Sequence, residues 1–295
     1  MRLRDLADGA KRRLEAAGIP RAEAALDAEL LARDALGWDR ATWLARRDDD
    51  ERAVEAQTVA ARGIGAFRAG FDALVARRVR REPMAYIRGT QEFYGREFLV
   101  GPGVLIPRPE TELIVDEAKA AAMGRRTPRI ADIGTGSGCL AVTLALELPS
   151  AQVTATDISA DALTIARGNA AAHQVAGRVS FVETSYLTGI AGAFDVIVSN
   201  PPYVRDLDAP TLAPEVRDHE PREALFGGDD GLRDIRAIVQ SATTALKPGG
   251  VLVMEIGMGQ AKAVTGVLTA AGLGAELTLR HDLQGIPRVA VAQRL

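Results

Sequence analysis

From Arg129 onward, short apolar segments alternate with stretches of helical period, and this rhythm restricts the fold more than any other feature of the 295-residue sequence. Residues 129–133, 152–156, 179–182, 194–199 and 251–256 are strand-length and rich in Val, Ile and Ala, and helical stretches separate most of them. Two further strands are expected near Ala275 and Val289. Strands that alternate with helices pair in parallel through right-handed crossovers, so the rhythm predicts an α/β, doubly wound, Rossmann-like sheet. The first 82 residues read differently. Leu3, Leu6, Ala7, Ala10, Leu14 and Ala17 mark one helical face, which ends at Gly18 and Pro20, and a second helix is expected over residues 21–36. Few turn residues follow beyond Gly63, Gly65 and Gly70, so a small N-terminal helical bundle is predicted. Between the two regions, PMAYIRGTQEFYGREFLVGPGVLIPRPETE carries aromatic and β-branched residues punctuated by Gly95, Gly101 and Gly103, and reads as a β-hairpin connector. The expected boundaries are therefore 1–82, 83–106 and 107–295.

Charge and cysteine content narrow the class of partner. The chain is 47% hydrophobic and 25% charged, with a formal charge of −3. Residues 1–82 contribute +2 and the remainder −5. That balance argues against a tight, non-specific nucleic-acid binder, whose affinity comes from Lys and Arg at phosphates. The run Arg77, Arg78, Arg80, Arg81 reads as a solvated helix face that could also touch an acidic partner. The single cysteine, Cys139, rules out an internal disulfide framework and reads as a small buried hydrophobe. His173, His219 and His281 lack metal-ligand spacing, so no metal is expected. The start, MRLRDLADGAKRRLEAAG, has no signal-peptide core and no stretch is long and apolar enough for a bilayer span, so a cytoplasmic location and no membrane association are expected. Nothing in the sequence demands more than a monomer.

Two strand ends carry the candidate chemistry. Asp132-Ile133-Gly134-Thr135-Gly136-Ser137-Gly138 runs from a strand into a glycine-rich turn that opens a helix, where backbone can approach a ligand closely. Cys139 occupies the position at which a dinucleotide fingerprint requires its last glycine, which counts against NAD or FAD. Asp157 ends the next strand, where a carboxylate can accept both hydrogen bonds of a ribose diol. Its alternative is a helix N-cap, a task Ser159 could also take. Tyr186, just after the third strand, can pack on an adenine or serve as a core aromatic. The second strand end is Asn200-Pro201-Pro202-Tyr203, after the apolar run 194–198. The Asn200 side-chain oxygen and the Pro201 carbonyl can accept the two hydrogens of a planar NH2 group. Pro201 and Pro202 stiffen the turn, and Tyr203 can lie against the plane.

PRPETE at 107–112, DIGTGSG at 132–138, NPPY at 200–203 and PEVRDHEPREALFGGDDGL at 214–232 together resemble the bacterial release factor glutamine methyltransferases, the PrmC/HemK family of class I S-adenosylmethionine-dependent methyltransferases. The resemblance runs over nearly the whole chain. It implies that Gly134, Thr135, Gly136, Ser137 and Gly138 surround S-adenosyl-L-methionine, that Asp157 holds its ribose, and that Tyr186 stands beside its adenine. It also implies that Asn200, Pro201, Pro202 and Tyr203 receive a substrate glutamine, with Asn200 touching the cofactor as well, and that S-adenosyl-L-homocysteine is the product. The implied substrate is the glutamine of the GGQ motif in peptide chain release factors, methylated on N5, with the N-terminal helices as docking surface. Ser185 departs from the family, many of whose members carry an acidic residue there, suited to the adenine amino group. Glu220, Pro221 and Leu225 match the family pattern without an assignable chemical role. The long loop over 204–231 either closes over the target or is a surface loop, and Thr111-Glu112 reads as a helix start.

Other functions remain compatible with the residues. An N6-adenine methyltransferase would present the same planar NH2 to NPPY, although the acidic balance and the lack of a recognition domain count against it. A non-catalytic nucleotide-binding module and a dehydrogenase are further alternatives.

Overall fold

A computed structural model describes residues 1–54 and 66–295, so the expected turns at Gly63 and Gly65 lie outside the described residues. The chain divides into two units, Met1–Arg88 with Pro214–His219, and Gly89–Ala213 with Glu220–Leu295. In the first unit, Leu3, Leu6, Ala10 and Leu14 recur every three or four residues and form the buried face of α1 (Leu3–Ala16). Helix α2 (Arg21–Leu36) ends at Gly37 in the left-handed conformation, and α3 (Arg40–Arg46) begins where Asp39 accepts from Thr42 N. Helices α4 (Ala66–Val79) and α5 (Met84–Arg88) follow; Gly70, expected in a turn, lies within α4. Leu31, Trp43, Phe71 and Val75 join the α1 face in one core.

The arginine run is a solvated face only in part: Arg80 is exposed, but Arg78 is not. Arg78 is 1% exposed, and its guanidinium donates to Asp27 Oδ2 (2.7 Å), Glu23 Oε1 (2.6 Å) and Glu215 Oε1 (2.7 Å). Arg81 donates to the other Glu215 oxygen at 2.8 Å. The acidic partner is thus within the chain, and part of it comes from the short helix Pro214–His219. Burial raises the Asp27 carboxyl, opposed by its bond to Arg78.

The second unit opens with β1 (Thr90–Phe93) and β2 (Arg96–Leu99), an antiparallel hairpin joined by Tyr94 and Gly95. Both turn residues have positive φ, 54° and 72°, the requirement of a two-residue type I′ turn. After α6 (Glu112–Ala122) come β3 (Arg129–Ile133), α7 (Cys139–Glu147), β4 (Gln152–Asp157), α8 (Ala160–Ala172), β5 (Val179–Glu183) and β6 (Phe194–Ser199). The short helices α9 (Pro214–His219) and α10 (Arg222–Leu225), then α11 (Arg233–Ala245), β7 (Leu246–Glu255), α12 (Ala261–Ala270), β8 (Glu276–His281) and β9 (Pro287–Gln293) complete the chain. The expected α/β sheet is present, with strand order β5-β4-β3-β6-β7-β9-β8. Strands β3 to β7 pair in parallel, and β9 pairs antiparallel with both β7 and β8.

Period-two alternation covers both faces of the sheet. Ile130, Val196, Val198, Val251 and Val253 pack with α6 and α7. Ala131, Ile133, Ile197, Leu252 and Met254 pack with α11 and α12 on the other side. Lys247-Pro248-Gly249-Gly250, a turn by its residue types, lies inside β7: the register passes from Phe194↔Leu246 to Val196↔Val251, so Lys247 to Gly250 form an out-of-register bulge. Strand order reverses between β3 and β6, and that switch point opens a crevice at the strands' carboxyl ends. No helix among the described residues is long and apolar enough to cross a membrane.

Replacing Arg78 by Met strands Asp27 and Glu215 without their buried partner, which should cost about 3–5 kcal/mol. The exposed Arg88–Asp34 pair should cost under about 1 kcal/mol when Arg88 is changed to Ala. Urea unfolding followed by circular dichroism tests the contrast, and equal small losses would remove Arg78 from its structural role.

Candidate active site

At the end of β3 the chain turns through Gly134, Gly136 and Gly138, all at positive φ (72°, 54° and 80°). Gly138 is constrained twice, because a Cβ there would stand 2.9 Å from Ala166 Cβ on α8. The turn is fastened to β4: Gly134 N and Thr135 N both donate to Thr156 O at 2.9 Å. Asp132 is fully buried behind it, where Oδ2 accepts from Thr135 Oγ1 (2.6 Å) and Ala141 N (3.2 Å). Oδ1 has no partner among the described residues, and burial pushes the carboxyl up to about 7.

Asp157, at the end of β4, accepts from Gly136 N through Oδ2 and from Ser159 N through Oδ1, each at 2.9 Å. Helix α8 is capped by Ser159, whose hydroxyl accepts from Ala162 N at 3.1 Å. Asp157 therefore has no capping duty, and each of its oxygens keeps lone-pair capacity for a ligand. Tyr186 follows β5 at φ 53° and donates its hydroxyl proton to Asp234 Oδ1 at 2.9 Å. Burial, then this carboxylate, pushes the phenol up to about 12.

Asn200 leaves β6 directly beside the glycine turn, since Ser199 Oγ donates to Ile133 O at 2.7 Å across the switch point. Asn200 Nδ2 donates to Thr111 Oγ1 at 3.1 Å. Thr111 in turn donates to Glu255 Oε2 at 2.6 Å, and Tyr203 donates to Glu255 Oε1 at 3.1 Å. Neither the Asn200 side-chain oxygen nor the Pro201 carbonyl accepts a hydrogen bond from any described residue. Beyond the turn, Val204 N donates to Leu225 O and Gly227 N to Val204 O, both at 2.9 Å. Gln260 Nε2 reaches Tyr203 O (3.0 Å) and Gly231 O (3.2 Å). The buried Glu220 accepts from Ile106 N at 3.1 Å and from the Arg108 guanidinium, fastening the PRP segment that borders the site.

These strand ends enclose a cavity of about 510 Å³, in the range of small-molecule sites. Gly134, Thr135, Gly136, Ser137 and Asp157 line one part of it, with Ser185, Tyr186 and Asp234. Asn200, Pro201, Pro202 and Thr111 line another, with Pro221, Glu223 and Ala224 of the long loop. Cys139 borders the cavity as well, its thiol pushed up to about 12 by burial. Gly138 and Tyr203 do not line the cavity; the first packs on α8, and the second faces Glu255. Thr111, Asp234 and Glu255 escaped the reading of the sequence. An acid at the carboxyl end of a strand, as in VLVMEIG, is the signal that could have found Glu255, because Asp132 and Asp157 also lie within the last two residues of their strands.

A sheet of this strand order, with its cavity at the reversal between β3 and β6, defines a class I methyltransferase, whose methyl donor is S-adenosyl-L-methionine. Residues 110–216 match the family described as Methyltransferase small domain, and residues 5–63 match the PrmC N-terminal domain. The chain is 41% identical over 276 residues to the release factor glutamine methyltransferase of Bradyrhizobium diazoefficiens, covering 92% of this chain and 89% of the relative. It is likewise 41% identical over 296 residues to that of Koribacter versatilis, covering 100% and 99%. The chain belongs to the release factor glutamine methyltransferase family. Among solved structures, the hMettl16 catalytic domain in complex with MAT2A 3′UTR hairpin 6 shares the fold, with a TM-score of 0.53 at 16% identity over 76% of this chain and 92% of that one.

Asp132 and Glu255 are raised from ordinary values of 3.8 and 4.5 to about 7 by burial. The folded protein thus binds protons that the unfolded chain has already released, so their contribution to stability is complete below the ordinary values and disappears as pH rises through about 7. The stability of the wild type relative to Asp132→Asn should accordingly decline between about pH 4 and 8. Urea unfolding across that range checks this, and a pH-independent difference would place the Asp132 pKa near its ordinary value.

Proposed function

We infer that this protein transfers the methyl group of S-adenosyl-L-methionine to the side-chain amide nitrogen, N5, of the GGQ glutamine in peptide chain release factors. S-adenosyl-L-homocysteine is the product. The observation that carries this reading is the pair of unclaimed acceptors, Asn200 Oδ1 and Pro201 O, at the rim of the cavity. A primary amide offers two N–H donors in one plane, and this pair matches them.

The residues fit the cofactor. Gly134 and Gly136 bring bare backbone to the cavity, and Asp157, oriented by two N–H groups, retains acceptor capacity for a ribose diol. Thr135, Ser137 and Gly138 complete the turn, and Tyr186, held by Asp234, offers its ring for the adenine. When bound, the cofactor supplies an electrophilic methyl on a sulfonium. The protein's task is to orient the amide. Asn200 and Pro201 accept its two hydrogens, which draws the nitrogen away from planarity and turns its lone pair toward the methyl group. Pro202 stiffens the turn, and Tyr203 braces it from the side of Glu255. The alkylated nitrogen is acidic and loses its proton after transfer, so no base is required before attack.

The helical N-terminal region serves as the docking surface for the release factor, supported by its match to the PrmC N-terminal domain. The formal charge of −3 supports a protein substrate over stable nucleic-acid binding. A translation-related substrate and a single cysteine support a cytoplasmic enzyme, and nothing in the sequence demands more than a monomer.

Labelled methyl should pass to purified release factor, and not to a release factor whose GGQ glutamine is replaced by Ala, nor to adenine-containing DNA. Asn200→Ala should lower kcat by about 100-fold or more, a larger change than it makes to S-adenosyl-L-homocysteine binding. Asp157→Ala should weaken that binding by about 10- to 100-fold, the loss expected for hydrogen bonds to a charged acceptor. Label on the DNA instead would make the protein an adenine methyltransferase.

A further inference from the structure

We propose that Thr111 and Glu255 are positioning residues for methyl transfer: together they form a hydrogen-bond chain that fixes which end of the Asn200 side chain faces the reacting amide. This role presupposes the glutamine-methylating reading of the site. Glu255 closes β7 one residue after Met254, which pairs with Ser199, so its carboxyl stands beside the end of β6, from which Asn200 emerges. It is 2% exposed, and each oxygen accepts one hydroxyl, Oε2 from Thr111 at 2.6 Å and Oε1 from Tyr203 at 3.1 Å.

The direction of the chain follows from counting protons. An ionised carboxylate only accepts, so both hydroxyls must donate to it. Threonine has one hydroxyl proton, and once that is given to Glu255 the Thr111 oxygen can only accept from its second neighbour. That neighbour, 3.1 Å away, must then be the NH2 end of Asn200, and the amide oxygen is turned outward, unclaimed. The two ends of an asparagine amide are nearly equal in size, so packing alone holds either orientation equally well. A flipped Asn200 would present N–H groups to a substrate that also presents N–H groups, and the acceptor pair would be lost.

Thr111 and Glu255 therefore encode polarity through the Asn200 side chain. The charged groups acting on Glu255 are Glu110, which raises its proton affinity, and Arg288, which lowers it, and burial outweighs both. A proton on the carboxyl lets it donate to Thr111, which frees the Thr111 hydroxyl to donate to Asn200 and removes the directional rule. The rate should therefore fall on the acid side of about pH 7.

The test uses the full-length protein and compares Thr111→Val, which keeps shape and loses the hydroxyl, with Thr111→Ser, which keeps the hydroxyl, and Glu255→Gln. Methyl transfer to release factor is measured per folded molecule, well below each variant's Tm, across pH, alongside calorimetric binding of S-adenosyl-L-homocysteine. The expected result is a kcat lowered about 10- to 100-fold in Thr111→Val, with unchanged S-adenosyl-L-homocysteine affinity. Thr111→Ser should restore most of the rate, and the acid limb of the profile should disappear in Glu255→Gln. Thr111→Val with an unchanged kcat, or Thr111→Ser as impaired as Thr111→Val, would overturn the positioning role and leave glutamine methylation standing. Wild-type protein that labels DNA and no release factor would overturn the reading of the site itself.

Discussion

Parallel pairing of β3 with both β4 and β6 is the constraint on which the site depends. Because the chain winds outward from β3 in one direction and resumes from β6 in the other, the connections that follow β3 and β6 diverge to opposite sides and leave a crevice between them. The glycine turn after Ile133 and the NPPY turn after Ser199 are the walls of that crevice, and the Ser199 hydroxyl bonded to Ile133 O keeps them a fixed distance apart. Each remaining element of the site is set by register from that pair. Asp157 arrives through β4 and Glu255 through β7, each as the last residue of its strand.

Acids at strand ends are costly, and the protein manages each of them differently. Asp157 is partly exposed and gathers two backbone N–H groups, one on each oxygen. Asp132 and Glu255 are enclosed, receive only partial compensation from hydroxyl and amide donors, and hold protons far above the usual carboxylate range. Asp195, near the start of β6, meets Arg125, Lys247 and the Arg129 amide, and its carboxyl is lowered despite burial, which alone would raise it.

Much of this was legible in the sequence because it is written in local patterns. The strand-helix rhythm, the three positive-φ glycines of the β3 turn and the paired prolines each depend on a handful of neighbouring residues. What escaped notice depends on residues far apart in the chain. Thr111 reads as the start of α6 until β7 brings Glu255 within 2.6 Å of it. Tyr203 reads as a substrate-facing aromatic from its place in NPPY, yet Glu255 gives its hydroxyl a buried acceptor. The arginine run ending α4 looks solvated because its acids lie at Glu23, Asp27 and Glu215, the last of them more than 130 residues away. KPGG is a strong turn signal, but the neighbouring strand continues to pair on both sides of it, and the turn is absorbed as a bulge.

The membership of Pro214–His219 in the helical unit changes what counts as a separable piece of this protein. Continuity along the chain suggests that the N-terminal helices could be released by a single cleavage after Arg88. Such a fragment would keep Glu23 and Asp27 around Arg78 and lose Glu215, one of the three carboxylates that neutralise the buried guanidinium. The helical unit is in this sense encoded discontinuously, its last side chain being supplied by a loop that leaves the sheet immediately after the NPPY turn. Fusion, truncation or grafting of the N-terminal region therefore has to carry that distant segment along, or replace Arg78 with an uncharged residue that no longer needs it.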